Sequence, residues 1–497
     1  MSFGALGLLA LGIYLAFLLA VSEFARRARV DQTPADHFLA ARHLGTFVLL
    51  LTLYATAYSG NSLLGYPGEA YRRGFSWIMA TGFMLAIVVV FHALVPKLRP
   101  IAVREHFVTP GDWIRHRFKG EAATSALRIV IGSLMVLGLA NFLLAQLVAM
   151  GHVTHAVTGG TLPFAVGVIG LAAVILFYET RGGMRAVAWT DAAQGLLMLV
   201  GLLVLLAWLL SDAGGIAAMT RRIAELRPSA VAVPDTIERA NWASTIVLLG
   251  LASVLYPQAI QRIFAARSAG SLKRALALMS FMPLTTTLVV TLIGLAAIPR
   301  FEGLGSIEAD TVMPRLLEAW AEEGSGARVM AVVVFIGALA AIMSTADSVL
   351  LSLGSLIAVD LFGRPSSAPA TTRFGKHAAV VVMAGAALVA LAPPLTLWRL
   401  IELKMELLIQ CVPAFLLAIH WRRLGAAGCL AGALVGTAIA AGGTLVGVKR
   451  LSGVHVGVIG LAANLLVAVL WSLLRPPAQS APGAAPSAST NPAISDS

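Results

Sequence analysis

The chain has 497 residues, of which 58% are hydrophobic and only 12% charged, and its mean hydropathy is +0.86. Soluble domains carry about 25% charged residues and disordered chains few apolar ones, so both classes are excluded, and two cysteines exclude a disulfide-built scaffold. The net charge of +12 is spread in short clusters between apolar runs, which predicts an all-α protein crossing a lipid bilayer many times and argues against nucleic acid as a partner.

In chain order, the first apolar run, Phe3 to Val21, has no basic residue before it and Arg26, Arg27 and Arg29 after it. That is the charge order of an uncleaved anchor with its N-terminus outside. Further spans are predicted near 45–65, 75–95, 125–150, 162–178, 187–210, 241–258, 276–299, 327–358, 376–392, 398–420, 425–447 and 453–473. These make about thirteen, each long enough to cross a hydrocarbon core roughly 30 Å thick. Every second connection should then be cytoplasmic and basic; Lys97, Arg99, Arg104, Arg115, Arg117 and Lys119 all follow the third span. The loop from Arg300 to Ala327 falls outside and carries Glu302, Asp310 and Glu323. This topology leaves the C-terminus in the cytoplasm and places the protein in the cell (plasma or inner) membrane. Residues 475–497, rich in Pro, Ala and Ser, read as a disordered tail.

Polar interruptions of a span are tolerated only where the backbone lines a cavity. The second span contains Tyr54-Ala-Thr-Ala-Tyr-Ser-Gly-Asn-Ser62, and the seventh contains Ser253-Val-Leu-Tyr-Pro-Gln258, whose proline removes a backbone donor. Such a pair is either two kinks or the broken helices of a midplane transport site. In the ninth span Ser344, Ser348, Ser352 and Ser355 recur at three- and four-residue spacing and form one stripe beside Thr345 and Asp347. The stripe serves either close helix packing or a sodium ion, a hard cation satisfied by neutral oxygens. Asp347 weighs toward function, because an ionisable group within a span is expensive.

Tyr178-Glu-Thr-Arg-Gly-Gly-Met-Arg-Ala-Val-Ala-Trp-Thr-Asp-Ala-Ala-Gln-Gly195 resembles the hallmark of the sodium/solute symporter family, which includes pantothenate, monocarboxylate and proline permeases. Four further stretches are similar in order and spacing: Phe38 to Gly45, Val108 to Phe118, Pro257 to Arg262 and Met343 to Ser348. The resemblance runs from about residue 5 to 473. It implies two inverted five-helix repeats, spans 2–6 (45–210) and 7–11 (211–420), with spans 2 and 7 broken. Around them lie an N-terminal peripheral helix and loop (1–44) and two C-terminal peripheral helices (421–474).

By the same likeness the main sodium site falls on the carbonyls of Ala55, Tyr58 and Ala341 and the hydroxyls of Ser344 and Thr345. Asp191 matches a family carboxylate implicated in ion handling, and with Ser348 it would form a second cation site if there is one; the other reading makes it a cytoplasmic helix cap beside Arg185. Where proline-transporting members carry an aspartate, two positions after Ala55, this chain has Ala57.

The solute pocket is expected beside the opened part of span 2, where Ser59, Gly60 and Asn61 offer a hydroxyl, open backbone and an amide. Asn141, Phe142 and Gln146 of span 4 and Ser253 and Tyr256 of span 7 complete the set, although each alone also fits interhelical packing. At the start of span 11, Glu402 and Glu406 share a face and Lys404 points away from them. These three are taken as ion-paired or snorkelling near the outer surface with Arg399, or alternatively as a gate or a contact to a charged solute. Cys411 and Cys429 read as small hydrophobes, and no histidine pattern matches a metal site, so that sodium is the one metal expected. The chain is therefore expected to be a non-enzymatic, sodium-coupled symporter importing a small organic carboxylate by alternating access. The alternatives are a membrane solute sensor with a separate signalling partner and a proton-coupled symporter.

Overall fold

The computed structural model describes residues 2–27, 34–392 and 395–475; the tail expected to be disordered lies almost wholly outside them, as do the side chains of Arg26 and Asn61. The described residues are almost entirely helical. Ten helices are long and apolar enough to cross a membrane, or eleven if the bent pair Thr236–Ser253 and Pro257–Ala265 is one span. The two other expected spans fall short for identifiable reasons. Thr46–Ala57 is cut to 12 residues by a break at Tyr58, and Leu397–Leu408 carries Arg399, Glu402, Lys404 and Glu406 within one short helix.

The breaks follow local chemistry. At Tyr58 the backbone turns extended (φ −105°, ψ 95°), and the chain resumes as a π-helical turn, Asn61–Gly65, and the helix Tyr66–Arg73. Pro257 opens its helix at the first turn, where its missing N–H leaves no bond unmade, and the two halves of this seventh segment meet at 48°. The long helix Phe164–Asp212 is divided at Gly183, whose φ of +60° and approach to the His37 carbonyl (2.7 Å from a would-be Cβ) admit only glycine. It thus supplies two spans, Phe164–Arg181 and Gly183–Asp212.

Ser325–Ser355, the ninth span, continues to Leu361 and is the central element: 83% of its most apolar window is buried inside the protein. It packs against Phe164–Asp212, Thr124–Val157 and Pro369–Ala390, and also meets the second and seventh segments. Ala426–Leu445 and Val456–Leu474 pair through small residues, so that a Cβ on Gly432 or Gly436 would lie 2.5 Å from the Asn464 carbonyl or 2.7 Å from that of Gly460. Between them is an antiparallel hairpin, Arg450–Leu451 with Val454–His455, turned by Ser452 and Gly453, both at positive φ. The region expected as an acidic outside loop also folds, into the helix Val312–Glu322.

Candidate functional site

The break in the second span faces the middle of the ninth. Ala55 belongs to the last turn of Thr46–Ala57, whose carbonyls have no partners within the helix. The Thr345 hydroxyl lies 3.3 Å from the Ala55 carbonyl and 3.2 Å from that of Ala341, and all three residues are fully buried. Of the expected sodium ligands, Ala55, Ala341 and Thr345 are thus brought together. Ser344 is adjacent, but its hydroxyl donates to the Asp191 carboxylate. Tyr58 ends the helix, and its hydroxyl accepts from Thr287 at 3.3 Å.

Asp191 is not a cytoplasmic cap beside Arg185, which bonds Asp36 at 2.9 Å. It is paired with Arg262 (Nη2–Oδ2 2.8 Å), and neither side chain is exposed to solvent. The guanidinium also donates to Thr52 (2.7 Å), the Gln258 carbonyl (3.1 Å) and Ser348 (2.6 Å), while Thr52 donates to Asp191. Ser348 in turn donates to the Ser344 carbonyl, and Tyr178 to Asp347, each over 2.7–2.8 Å. Asp191 and Ser348, expected as a second cation site, are brought together by this arrangement. Both groups are already joined by a cation, the Arg262 guanidinium, which supplies the charge and the hydrogen bonds that an ion would have.

Beside the break opens a cavity with about 590 Å³ of atom-free space, including its mouth. Of the residues named for the solute pocket, Ser59, Phe142, Ser253 and Tyr256 line this cavity, joined by Thr56, Ser62, Lys404 and an apolar remainder that includes Leu53, Met84, Ile87 and Met405. Gly60 and Gln146 form structure behind the wall instead: the Gly60 N–H donates to Gln146 Oε1 (2.9 Å), tying the break to the fourth helix. Asn141 is not among the lining residues, and its buried Oδ1 has no partner among the described residues. The expected contact through the Asn61 side chain lies outside the described residues.

Tyr66, which lines the cavity, belongs to a cluster of aromatic rings. Trp77 and Trp398 meet edge to face at 4.7 Å, with Tyr66 and Phe83 packed on them at 5.7–6.2 Å. Beyond the rings, Arg72 joins Glu69 (2.5–2.9 Å) to Asp310 (3.2 Å), and Asp310 accepts from the Leu397 N–H (2.8 Å). This ionic layer ties the end of the second span to the start of the eleventh. Withdrawal of Asp310 from water pushes its carboxyl up to about 6, against the lowering pull of Arg72.

On the eleventh helix, Glu402 and Glu406 pair with Arg399 (3.1 and 3.4 Å), and Glu402 also with Arg450 of the hairpin. These two acids are ion-paired, as expected. Lys404 does not snorkel; it is 2% exposed and borders the cavity. Arg262, Gln258, Thr52 and Tyr178 carry no role in the sequence-based expectation, although all but Thr52 stand in its quoted stretches. Arg262 had a usable signal, being an ionisable residue beside a broken span.

The model of the sodium:solute symporter family matches residues 37–436. The chain is 26% identical over 477 residues to the osmoregulated proline transporter OpuE of Bacillus subtilis, covering 94% of both chains. It is 27% identical over 452 residues to the sodium/pantothenate symporter of Escherichia coli, covering 86% of this chain and 88% of the relative. Among solved structures it resembles a Na+-coupled sialic acid symporter in a substrate-bound outward-open state (TM-score 0.77, 19% identity, covering 96% of this chain and 99% of the other). It also resembles Mhp1, a nucleobase-cation-symport-1 family transporter in a closed conformation (TM-score 0.57, 16% identity, covering 90% and 97%). At such identities these structures speak for the fold, whereas the family match spans most of the chain, and the protein belongs to the sodium:solute symporter family.

Proposed function

We propose that the protein imports a small organic carboxylate with sodium, by alternating access across the plasma membrane. The observation that carries this reading is the convergence of the Ala55 and Ala341 carbonyls on the Thr345 hydroxyl, between the broken helix and the central one. The Ala55 carbonyl, at the end of its helix, has no helical N–H to accept, and with the lone pairs of Thr345 and Ala341 beside it a hard cation finds the neutral oxygens it needs. Drawing the oxygens inward, the ion fastens the second span to the ninth and shapes the solute cavity that the second span borders. Sodium and solute then raise each other's affinity by the same factor.

The finer architecture belongs to the same proposal. Thirteen spans with the N-terminus outside form two inverted repeats, spans 2–6 and 7–11, flanked by three peripheral helices. The basic connections after alternate spans support this orientation. The solutes of the two relatives, proline and pantothenate, both bear a carboxylate, which supports the solute class. The test is uptake by proteoliposomes containing the purified chain. Accumulation that needs an inward sodium gradient supports symport, and equal accumulation driven by protons in sodium-free buffer refutes sodium coupling.

A further inference from the structure

We infer that Lys404 is the charge partner of the transported solute, and that the solute is a net anion, a carboxylate carrying no ammonium group. The inference deepens the symport reading and rests on it.

Lys404 is buried between rings. Its Nζ lies 3.1 Å from the centre of the Phe142 ring and 4.8 Å from that of Tyr256, and the two rings stack at 5.5 Å. Ring faces attract a cation but bring no full negative charge and no oxygen acceptor. The acids of the same helix are engaged on its other face with Arg399 and Arg450, and no described carboxylate forms an ion pair with Lys404. It is also the one charged residue among those described as lining the cavity. Charging a lysine withdrawn from water is costly without a counter-charge, and such a residue is retained where something arrives to complete it.

The neighbouring hydroxyls point to the same ligand. Ser253 and Tyr256 both donate to the Met405 sulfur, at 3.8 and 3.4 Å, and a thioether is a weak acceptor. One wall therefore presents the Lys404 amine and two hydroxyls whose protons are spent on a thioether. A carboxylate, which accepts only, answers all three; an amide answers them without the charge. An amino acid would bring its own ammonium into a cavity whose described lining has no acid, beside the lysine that must take up the charge. The apolar remainder of the lining suits the solute's carbon skeleton.

The experiment measures melting temperature of the purified full chain in detergent, with sodium or choline. The ligands are a panel of monocarboxylates of three to nine carbons, pantothenate among them, the primary amide of each, and the amino acids. We expect a carboxylate to stabilise the protein in sodium, with its amide and all amino acids weaker by about tenfold or more. Lys404→Gln should lose that preference for acid over amide, and Lys404→Arg should retain it in part; stabilisation by sodium alone reports that each variant is folded. Amides binding as well as acids, stabilisation by amino acids rather than acids, or unaltered carboxylate affinity in a folded Lys404→Gln each overturns the inference. Stabilisation by sodium but by no carboxylate overturns it while leaving sodium coupling standing, whereas no response to sodium removes the symport reading along with it.

Discussion

The Thr345 hydroxyl and the Ala55 carbonyl stand 3.3 Å apart across the contact between the central helix and the broken one. The Ala341 carbonyl keeps its place in the continuous helix Ser325–Ser355, whereas the Ala55 carbonyl ends its own helix, so whenever the Thr345 proton turns to Ala341 the Ala55 carbonyl is under-served. In a dry contact that deficit is costly, and it is local to the two helices whose relative position shapes the solute cavity.

Asp191 and Arg262 form a fully buried pair, so removing either partner leaves an uncompensated charge. Asp191→Asn and Arg262→Gln should each lower stability by about 3–5 kcal/mol, and the double substitution by much less than the sum. A double-mutant cycle of detergent melting curves checks this; additive losses would show that the two charges do not compensate each other.

Arg262 already bridges Asp191 and Ser348, and we propose accordingly that one sodium ion accompanies each solute. Paired with a monoanion, that ion moves no net charge, and fixed side-chain charges return to their starting places in every cycle. Clamping proteoliposomes at different potentials should therefore barely alter accumulation. One net charge would instead contribute about 2.3 kcal/mol per 100 mV, about fiftyfold in the accumulation ratio.

Asp310 gives the ionic layer over the aromatic rings a pH dependence. Its carboxyl titrates at about 6 in the fold and near 4 when solvated, so between those values the folded state binds a proton that the unfolded state releases. Its contribution is a penalty, fully present above about pH 6 and removed as the pH falls through 6 toward 4, worth roughly 3 kcal/mol. Acidification from pH 7.5 to about 5 should accordingly stabilise the wild type relative to Asp310→Asn, whose amide oxygen still accepts from Leu397. Parallel melting curves across that pH range provide the check.

Gly60 sits where the break presses on its neighbours. An added Cβ would lie 2.7 Å from Ile342 Cγ1 and 2.9 Å from Ala149 Cβ, so Gly60→Ala must push the second span away from the fourth and ninth helices. A loss of about 1–3 kcal/mol in stability is expected, with weakened sodium activation of uptake. Wild-type melting and uptake in this variant would contradict the close approach.

Much of this arrangement was readable beforehand because hydrocarbon enforces simple rules. Apolar runs had to be helices, and Ser59-Gly60 and Pro257 could interrupt them only at a cavity or a kink. The same helical geometry separated Lys404 from Glu402 and Glu406. What lay opposite each face depended on packing between residues far apart in the chain. Nothing near Asp191 in sequence announces Arg262, 71 positions on, and nothing near Lys404 shows that its face borders Phe142 and Tyr256 rather than the outer surface. The hairpin at Arg450–His455 was equally hidden, because two-residue strands in a polar loop have no periodicity to read.

The most direct measurement is the sodium dependence of uptake, in proteoliposomes, by Thr345→Ala and Thr345→Ser with abundance matched to wild type. Loss of one oxygen from the cluster should raise the sodium concentration for half-maximal uptake about tenfold in Thr345→Ala, a change of about 1.4 kcal/mol, and Thr345→Ser should largely restore it. An unchanged sodium dependence in Thr345→Ala would contradict an ion held between the second and ninth spans.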